Sequence, residues 1–78
     1  IPGLQEAGYL TNETAFELDE LPEQLVILGA NYIGLENAQL FSRLGSKVTV
    51  LEWKPQILPS ETPDVAAEIR RHLEKEGI

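Results

Sequence analysis

The chain contains no cysteine among its 78 residues. This absence excludes a disulfide framework, a thiolate metal site and a thiol nucleophile within the chain, because each requires a cysteine sulfur. Basic residues are also scarce: 6 Lys and Arg stand against 13 Asp and Glu, and the net charge is −7. Nucleic acids and anionic membranes attract basic surfaces, so we expect neither as a partner.

Long apolar runs are missing as well. None approaches the roughly 18–20 residues that span a membrane. The start of the chain lacks a methionine, a basic region and the apolar core of a signal peptide, so we expect a cytoplasmic protein. A chain of 78 residues is at most one small domain of marginal stability. Because it begins at Ile1-Pro2-Gly3-Leu4 and ends at Glu76-Gly77-Ile78, we expect it to be excised from something longer.

An apolar run followed by glycines occupies the middle of the chain. Residues 25–29 include Val and Ile without polar alternation, which predicts a strand buried on both faces. The pattern from about Tyr32 or Ile33 to Leu44 predicts a helix that ends at Gly45, a left-handed C-terminal cap. Residues 47–52 predict a second strand, parallel to the first because a crossover helix joins them.

The helices are predicted from apolar spacing and from capping residues. The first presents a wide apolar face made of Gly34, Ala38 and Phe41, with Ile33, Leu40 and Leu44 as the adjoining stripe. A second helix is predicted to begin at Pro63, with Thr62 as its N-cap. Its inward-facing residues are expected to be Val65, Ala66, Ile69 and Leu73. Residues 1–24 are expected to be irregular, apart from a short helical turn from Thr11 or Asn12 through Leu18.

These elements predict an α/β fold: a partial Rossmann-like βαβα unit of a parallel sheet, a fragment of a larger nucleotide-binding domain. We interpret residues 25–78 as this incomplete unit and residues 1–24 as a connector that packs on a neighbouring domain. A third strand is expected after Ile78. Without it the sheet has open edges, which invite self-association.

The turn Gly29-Ala30-Asn31-Tyr32-Ile33-Gly34 matches the dinucleotide-binding pattern G-x-G-x-x-G except at its middle position. Gly29 allows a sharp turn off the strand, and Gly34 allows close approach of helix and strand. The helix N-terminus offers amide donors and positive potential to a pyrophosphate. Asn31 tolerates left-handed angles, and its side chain either donates to a phosphate or partly blocks it. We expect a weakened site rather than an abolished one.

Glu52 ends the second strand, about 20 residues beyond the turn, where an acidic residue hydrogen-bonds ribose hydroxyls. A carboxylate there favours NAD over NADP, because a 2′-phosphate would meet a like charge, although Lys54 softens this repulsion. The alternative for Glu52 is an ordinary solvated charge. For Gly29 and Gly34 the alternative is a plain strand–helix turn.

Three further side chains have plain structural interpretations, and a fourth, Trp53, has two open roles. Tyr32 is expected as a half-buried ring with its hydroxyl in water. Glu36, assigned to the first helical turn, is explained by the helix dipole. His72 is expected on a helix surface, while Trp53 either lies beside an adenine or packs its loop.

Longer stretches resemble a known family. They are residues 29–36, the segment Phe41 to Glu52, the Ile57-Leu58-Pro59 tripeptide and the Leu73 to Ile78 ending. Together they resemble the NAD(P)-binding domain of the FAD-dependent pyridine nucleotide-disulfide oxidoreductases. Within the family, residues 1–4, 9–15 and 38–51 look closest to mercuric reductase, with lipoamide dehydrogenase next.

The resemblance implies roles for individual residues. Tyr32 matches a tyrosine that covers the flavin and moves away when nicotinamide enters, and Glu36 matches a glutamate near the nicotinamide–flavin junction. The implied cofactor-binding set is Gly29, Ala30, Asn31, Tyr32, Ile33, Gly34, Glu36 and Glu52. Residues 1–24 match the segment that returns from the FAD domain. Asn31 replaces the middle glycine of the family pattern, and Glu52 stands where NADPH-dependent members tend to lack an acid or carry an arginine.

The resemblance also implies what the chain does and does not do. In the intact parent, hydride would pass from NAD(P)H to FAD, and then electrons would pass to a cysteine pair and the terminal substrate. The chain contains no FAD domain, cysteine pair or dimer domain, so we expect it to be inactive alone, with no catalytic or metal-binding residue. The alternatives are a lipoamide dehydrogenase fragment and a non-catalytic, self-associating module with a weakened site.

Overall fold

The computed structural model describes residues 3–11, 14 and 18–78. The elements are α1 (Leu4–Ala7), β1 (Gln24–Leu28), α2 (Tyr32–Leu44), β2 (Lys47–Leu51) and α3 (Pro63–Lys75). The two strands pair in parallel, with Gln24 opposite Lys47 and Leu28 opposite Leu51. The predicted βαβα unit with a parallel sheet is therefore confirmed. None of the helices in this part of the chain is both long and apolar enough to cross a membrane.

The strand boundaries differ from the prediction by one residue. β1 ends at Leu28 rather than Gly29, because Gly29 adopts φ 99° and turns the chain away from the strand. Its N–H still donates to the Leu51 carbonyl at 2.8 Å. β2 ends at Leu51, so Glu52 lies just beyond the sheet.

The N-terminal stretch contains a helix that the sequence did not predict. α1 is a single turn, in which Ala7 N–H donates to the Gly3 carbonyl at 3.0 Å and Gly8 N–H to the Leu4 carbonyl at 3.1 Å. The expected helical turn from Thr11 or Asn12 to Leu18 falls mostly outside the described residues. Thr11 Oγ1 does accept from Thr14 N–H at 3.1 Å, which is the contact that a capping threonine makes.

α2 packs on the sheet through small and apolar side chains. Gly34, Ala38 and Phe41 are buried as predicted, and Val48 of β2 packs against the latter two. The adjoining stripe is different: Ile33, Leu40 and Leu44 are 59%, 40% and 59% exposed. The prediction that these three belong to a covered face is wrong for this structure, because the sheet formed by the described residues has two strands beneath the helix.

α3 begins at Pro63 after Thr62, as predicted, although the Thr62 hydroxyl makes no capping hydrogen bond. Ala66 and Leu73 are buried and Ile69 is partly buried. Val65, predicted to face inward, is 42% exposed. The buried residue Leu73 of α3 lies in one cluster with Leu35 and the loop residue Leu58.

The free edges of the sheet expose apolar side chains. Val26, Leu28 and Leu51 are 56%, 46% and 52% exposed. A groove of about 780 Å³ runs along β1 to the beginning of α2. Its other wall comes from the N-terminal stretch, including Leu4, Tyr9 and Leu10. The groove therefore opens beside the turn that joins β1 to α2.

Candidate functional site

Two glycines define the turn between β1 and α2. Gly29 has φ 99°, a left-handed conformation that side chains rarely adopt. A Cβ atom on Gly34 would lie 2.3 Å from the Gly29 carbonyl oxygen, which is closer than atoms can pack. The sharp turn and the close approach expected from the sequence are both present, and each requires glycine.

Asn31 serves as the N-cap of α2. Its Oδ1 atom accepts from the Gly34 N–H at 2.8 Å. The backbone is extended, with φ −85°, so the tolerance of asparagine for left-handed angles is not used. The side chain therefore stabilises the helix by occupying one of the amide donors at its N-terminus.

Two other amides at this helix end remain available. Tyr32 and Ile33 are the first two residues of α2, and within the described ranges no group accepts from their N–H groups. An α-helix cannot satisfy such donors internally, and its dipole places positive potential there. The end of α2 is therefore suited to an anion with several oxygens, such as a phosphate.

Glu52 is held against this turn rather than free in solvent. Its Oε1 accepts from the Ala30 N–H at 2.8 Å, and its Oε2 accepts from the Lys54 N–H at 2.9 Å. The Lys54 amide, followed by the Ala30 amide, lowers the pKa of the Glu52 carboxyl. Each carboxylate oxygen retains acceptor capacity, so Glu52 can also accept from sugar hydroxyls.

This geometry predicts an acid-dependent contribution of Glu52 to stability. Because the folded pKa lies below the unfolded value of about 4.3, the carboxylate stabilises the fold above that pH. The contribution is lost as the pH falls through the folded pKa. Glu52→Gln should therefore be less stable than the wild type at pH 7, and the gap should narrow below about pH 4. Urea unfolding at both pH values measures this, and a gap independent of pH would contradict it.

The loop before α3 is fixed to the turn by Leu58. Its N–H donates to the Ala30 carbonyl at 2.8 Å, and its side chain is 2% exposed. Leu58 has φ 47°, the only positive φ of a non-glycine residue in the described part of the chain. Sequence reasoning assigned no role to Leu58. The available signal was the pair of apolar residues Ile57 and Leu58 before Pro59 in the loop.

Tyr32 extends from the start of α2 toward the same loop. Its hydroxyl donates to Glu61 Oε1 at 2.6 Å, so the expectation of a hydroxyl in water is wrong. The hydrogen bond to Glu61, followed by burial, raises the pKa of the Tyr32 hydroxyl. Glu61 was missed, because no local pattern links residues so far apart in the sequence.

Glu36 lies farther along α2 than the sequence suggested. The helix begins at Tyr32, so no acidic residue falls in its first turn, and the assignment of Glu36 to that turn is wrong. Glu36 is exposed and lines a pocket of about 270 Å³ together with Tyr32 and α3. Its charge therefore faces this pocket instead of capping the helix dipole.

Trp53 and His72 are both at the surface. Trp53 is 94% exposed, so it does not pack its own loop in this structure. His72 is exposed on α3 with Nε2 3.3 Å from Glu68 Oε1, in agreement with its interpretation as a surface residue. Of the two roles considered for Trp53, contact with a ligand is the one left open.

The arrangement brings together the N-terminus of α2, with two available amides, and the Glu52 carboxylate, which is bound to the Ala30 amide just before the N-cap. Such an arrangement has donors suited to a phosphate and an acceptor suited to hydroxyls. Gly29, Ala30, Asn31, Tyr32, Ile33, Gly34 and Glu52 meet at this turn. Glu36 is separate, on the pocket facing α3.

Residues 1–78 match the family model of the pyridine nucleotide-disulphide oxidoreductases. The chain is 50% identical to mercuric reductase from Streptomyces lividans over 78 residues. This match covers 100% of the chain and 16% of the relative. It is 40% identical over 78 residues to mercuric reductase from Bacillus cereus, covering 100% of the chain and 12% of that protein. Identity to dihydrolipoyl dehydrogenase 3 from Haloarcula marismortui is 41% over 76 residues, covering 97% of the chain and 16% of the relative.

A solved structure is similar to this chain in both fold and sequence. The HOCl-induced flavoprotein disulfide reductase RclA from Escherichia coli superposes with a TM-score of 0.76 at 46% identity. The superposition covers 81% of this chain and 14% of the reductase. The chain thus corresponds to a small share of each of these longer proteins. Because the family model matches every residue, the chain belongs to the pyridine nucleotide-disulphide oxidoreductase family.

Proposed function

We propose that this chain binds a nicotinamide dinucleotide within a flavoprotein reductase and presents it for hydride transfer to FAD. The observation that carries the proposal is the pairing of Glu52 with the Ala30 N–H, beside the available amides of Tyr32 and Ile33. The proposal is supported because this pairing would put an acceptor for ribose hydroxyls next to donors for the pyrophosphate.

Each part of the dinucleotide has a candidate contact. The pyrophosphate receives the Tyr32 and Ile33 amides at the positive end of α2. The adenosine ribose donates its hydroxyls to Glu52, and the exposed Trp53 indole is free to lie beside the adenine. Asn31 reduces the number of donors by occupying the Gly34 N–H, which supports a weakened site.

The flavin and the terminal substrate would bind outside residues 25–78. The nicotinamide would extend toward the flavin, with Tyr32 and Glu36 near their junction, and residues 1–24 would connect to the FAD domain. FAD supplies the redox chemistry when it is bound, while this chain positions the dinucleotide. Similarity to mercuric reductases makes Hg(II) our proposed terminal substrate, with a lipoamide-type disulfide as the alternative.

Cofactor choice provides the test. Glu52 lies where a 2′-phosphate would bring a second negative charge, so the chain should bind NAD⁺ about tenfold more tightly than NADP⁺. Glu52→Gln should reduce this preference to about threefold or less. Isothermal titration calorimetry measures both affinities, and quenching of Trp53 fluorescence by NADH gives an independent signal.

Glu74→Gln is the matched control, because it removes the same charge from an exposed position on α3. It should leave the preference for NAD⁺ unchanged. Absence of binding to a folded chain at millimolar dinucleotide would refute the proposed function. An equal loss of preference in both glutamate variants would show that net charge, rather than Glu52, sets the selectivity.

A self-associating module is the second candidate. The free sheet edges and the exposed Val26, Leu28 and Leu51 side chains favour it, because association would bury them. A module of this kind needs no cofactor and predicts that substitutions in the turn leave dinucleotide binding undetectable.

A further inference from the structure

Ala30 is held from two sides in the turn between β1 and α2. The residue is fully buried, so its backbone polar atoms need partners within the protein. Its N–H donates to Glu52 Oε1 at 2.8 Å, and its carbonyl accepts from the Leu58 N–H at 2.8 Å. These partners come from two separate segments, the end of β2 and the loop before α3. The direction of the Ala30 N–H therefore depends on both segments.

Leu58 meets Ala30 with its backbone in an unfavourable conformation. Its φ of 47° is left-handed, which a residue with a side chain rarely adopts. Two sets of contacts hold it there. The side chain is buried in one cluster with Leu35 and Leu73, and the Leu58 carbonyl accepts from Glu61 N–H at 2.8 Å and Gln56 Nε2 at 3.4 Å. Such a conformation persists only where its surroundings fix it.

The bond from Leu58 has no substitute in the described part of the chain. There, no second group donates to the Ala30 carbonyl. If the Leu58 N–H moved away, the Ala30 carbonyl would be buried without a partner, which is costly. The backbone of the turn would then rotate toward another donor. The Ala30 N–H would turn away from Glu52 in the same movement.

We propose that Leu58 is a positioning residue that keeps the Ala30 N–H directed at the Glu52 carboxylate. Its consequence for cofactor choice rests on the proposed function, in which Glu52 accepts from the ribose. Leu58 itself contacts no part of the dinucleotide in this arrangement. It acts through Ala30, by fixing where the carboxylate lies beside the turn.

Two substitutions of similar volume separate the backbone of Leu58 from its packing. Leu58→Ile branches at Cβ, which makes a positive φ strongly unfavourable. Leu58→Met is unbranched at Cβ and can keep the left-handed conformation. Both retain an apolar side chain of nearly the same size, so packing alone predicts that both are tolerated. A backbone anchor predicts that only Leu58→Ile releases Ala30.

The pKa of Glu52 reports the anchor without any ligand. The Lys54 amide, followed by the Ala30 amide, lowers the pKa of this carboxyl in the wild type. In Leu58→Ile the pKa should rise part of the way toward its usual value of about 4.3, because the Lys54 amide remains in place. The Ala30 amide shift should also stop following this titration. NMR titration of the ¹³C,¹⁵N-labelled chain measures both, and Leu58→Met should match the wild type.

Cofactor preference reports the consequence for binding. By calorimetry, Leu58→Ile should reduce the preference for NAD⁺ over NADP⁺ from about tenfold to about threefold or less, as Glu52→Gln does. In a Glu52→Gln background, Leu58→Ile should reduce it no further, because the carboxylate that it positions is gone. Leu58→Met should keep the wild-type preference.

A second pair of variants serves if Leu58→Ile does not fold. Glycine adopts a positive φ freely, whereas alanine does not. Leu58→Gly should therefore keep the Glu52 pKa closer to the wild-type value than Leu58→Ala does, although it removes more of the side chain. A role in packing alone predicts that glycine is no better than alanine.

The outcomes separate this inference from the proposed function. An unchanged Glu52 pKa in Leu58→Ile, or an equal rise in Leu58→Ile and Leu58→Met, overturns the inference even if the chain binds NAD⁺. A folded wild type that binds no dinucleotide refutes the proposed function. The NMR titration still decides, in that case, whether Leu58 positions the Ala30 N–H.

Discussion

Gly34→Ala is expected to destabilise the fold by about 3 kcal/mol, the upper range for overpacking. Helix propensity alone predicts that the substitution would stabilise the fold, since alanine is favoured over glycine inside a helix by about 1 kcal/mol. The structure decides between these effects, because the new Cβ atom would lie 2.3 Å from the Gly29 carbonyl oxygen. The Gly29 carbonyl is part of the backbone and cannot rotate away as a flexible side chain would. The cost of this steric clash should therefore exceed the gain in helix propensity. Urea unfolding followed by circular dichroism measures the change.

Asn37→Ala is the matched control, because it raises helix propensity in α2 at a half-buried site with no hydrogen bond to lose. It should stabilise the chain by about 0.5 kcal/mol. A stabilised Gly34→Ala variant would show that the turn and the helix are not in close contact. The account of the glycine turn would then have to be abandoned.

Asn31→Asp is expected to weaken NAD⁺ binding by about tenfold or more, and Asn31→Gly to tighten it by about threefold. Aspartate caps helices about as well as asparagine, so the Gly34 N–H stays occupied while a negative charge appears beside the pyrophosphate. Glycine removes the cap and returns the Gly34 N–H as a third donor. Calorimetric titration of both variants with NAD⁺ measures the effect.

Stability measurements serve as the control for the Asn31 pair. Glycine at an N-cap costs only a few tenths of a kcal/mol, and aspartate is close to neutral. Both variants should therefore remain folded, and the affinity changes should report the site. Equal binding by the two variants would show that the pyrophosphate does not approach α2. A lack of binding by all forms would favour the self-associating module.

The parts of the fold that local sequence determines were predicted well. α2 ends before Gly45, which has φ 119°, and α3 starts after Thr62 with Pro63 in first position. Caps and apolar periodicity act within a few residues, so they can be read without the tertiary structure. The same locality explains why the spacing of Gly29 and Gly34 pointed to the turn.

Contacts between distant residues could not be predicted from the same patterns. Glu52 was assigned to ribose binding, but its bond to the Ala30 amide depends on how β2 lies beside β1. The Tyr32–Glu61 bond and the positive φ of Leu58 depend on the path of the loop before α3. No periodicity encodes that path, since tertiary packing determines it.

The exposed stripe on α2 shows a further limit. Apolar spacing predicted that Ile33 and Leu44 would be covered, yet each is 59% exposed. Periodicity identifies which side chains share a helix face, but the amount of sheet beneath the helix determines how much of that face is buried. Two strands cover Gly34, Ala38 and Phe41 and leave the adjoining stripe open.

The central claim is that the turn from Gly29 to Gly34, together with Glu52, binds the ADP half of a nicotinamide dinucleotide. Amide chemical-shift mapping of the folded, ¹⁵N-labelled chain during titration with NAD⁺ tests it most directly. The largest shifts should fall on the amides of Ala30, Tyr32 and Ile33, with smaller shifts near Glu52. Shifts confined to other elements, or none at millimolar NAD⁺, would contradict the claim.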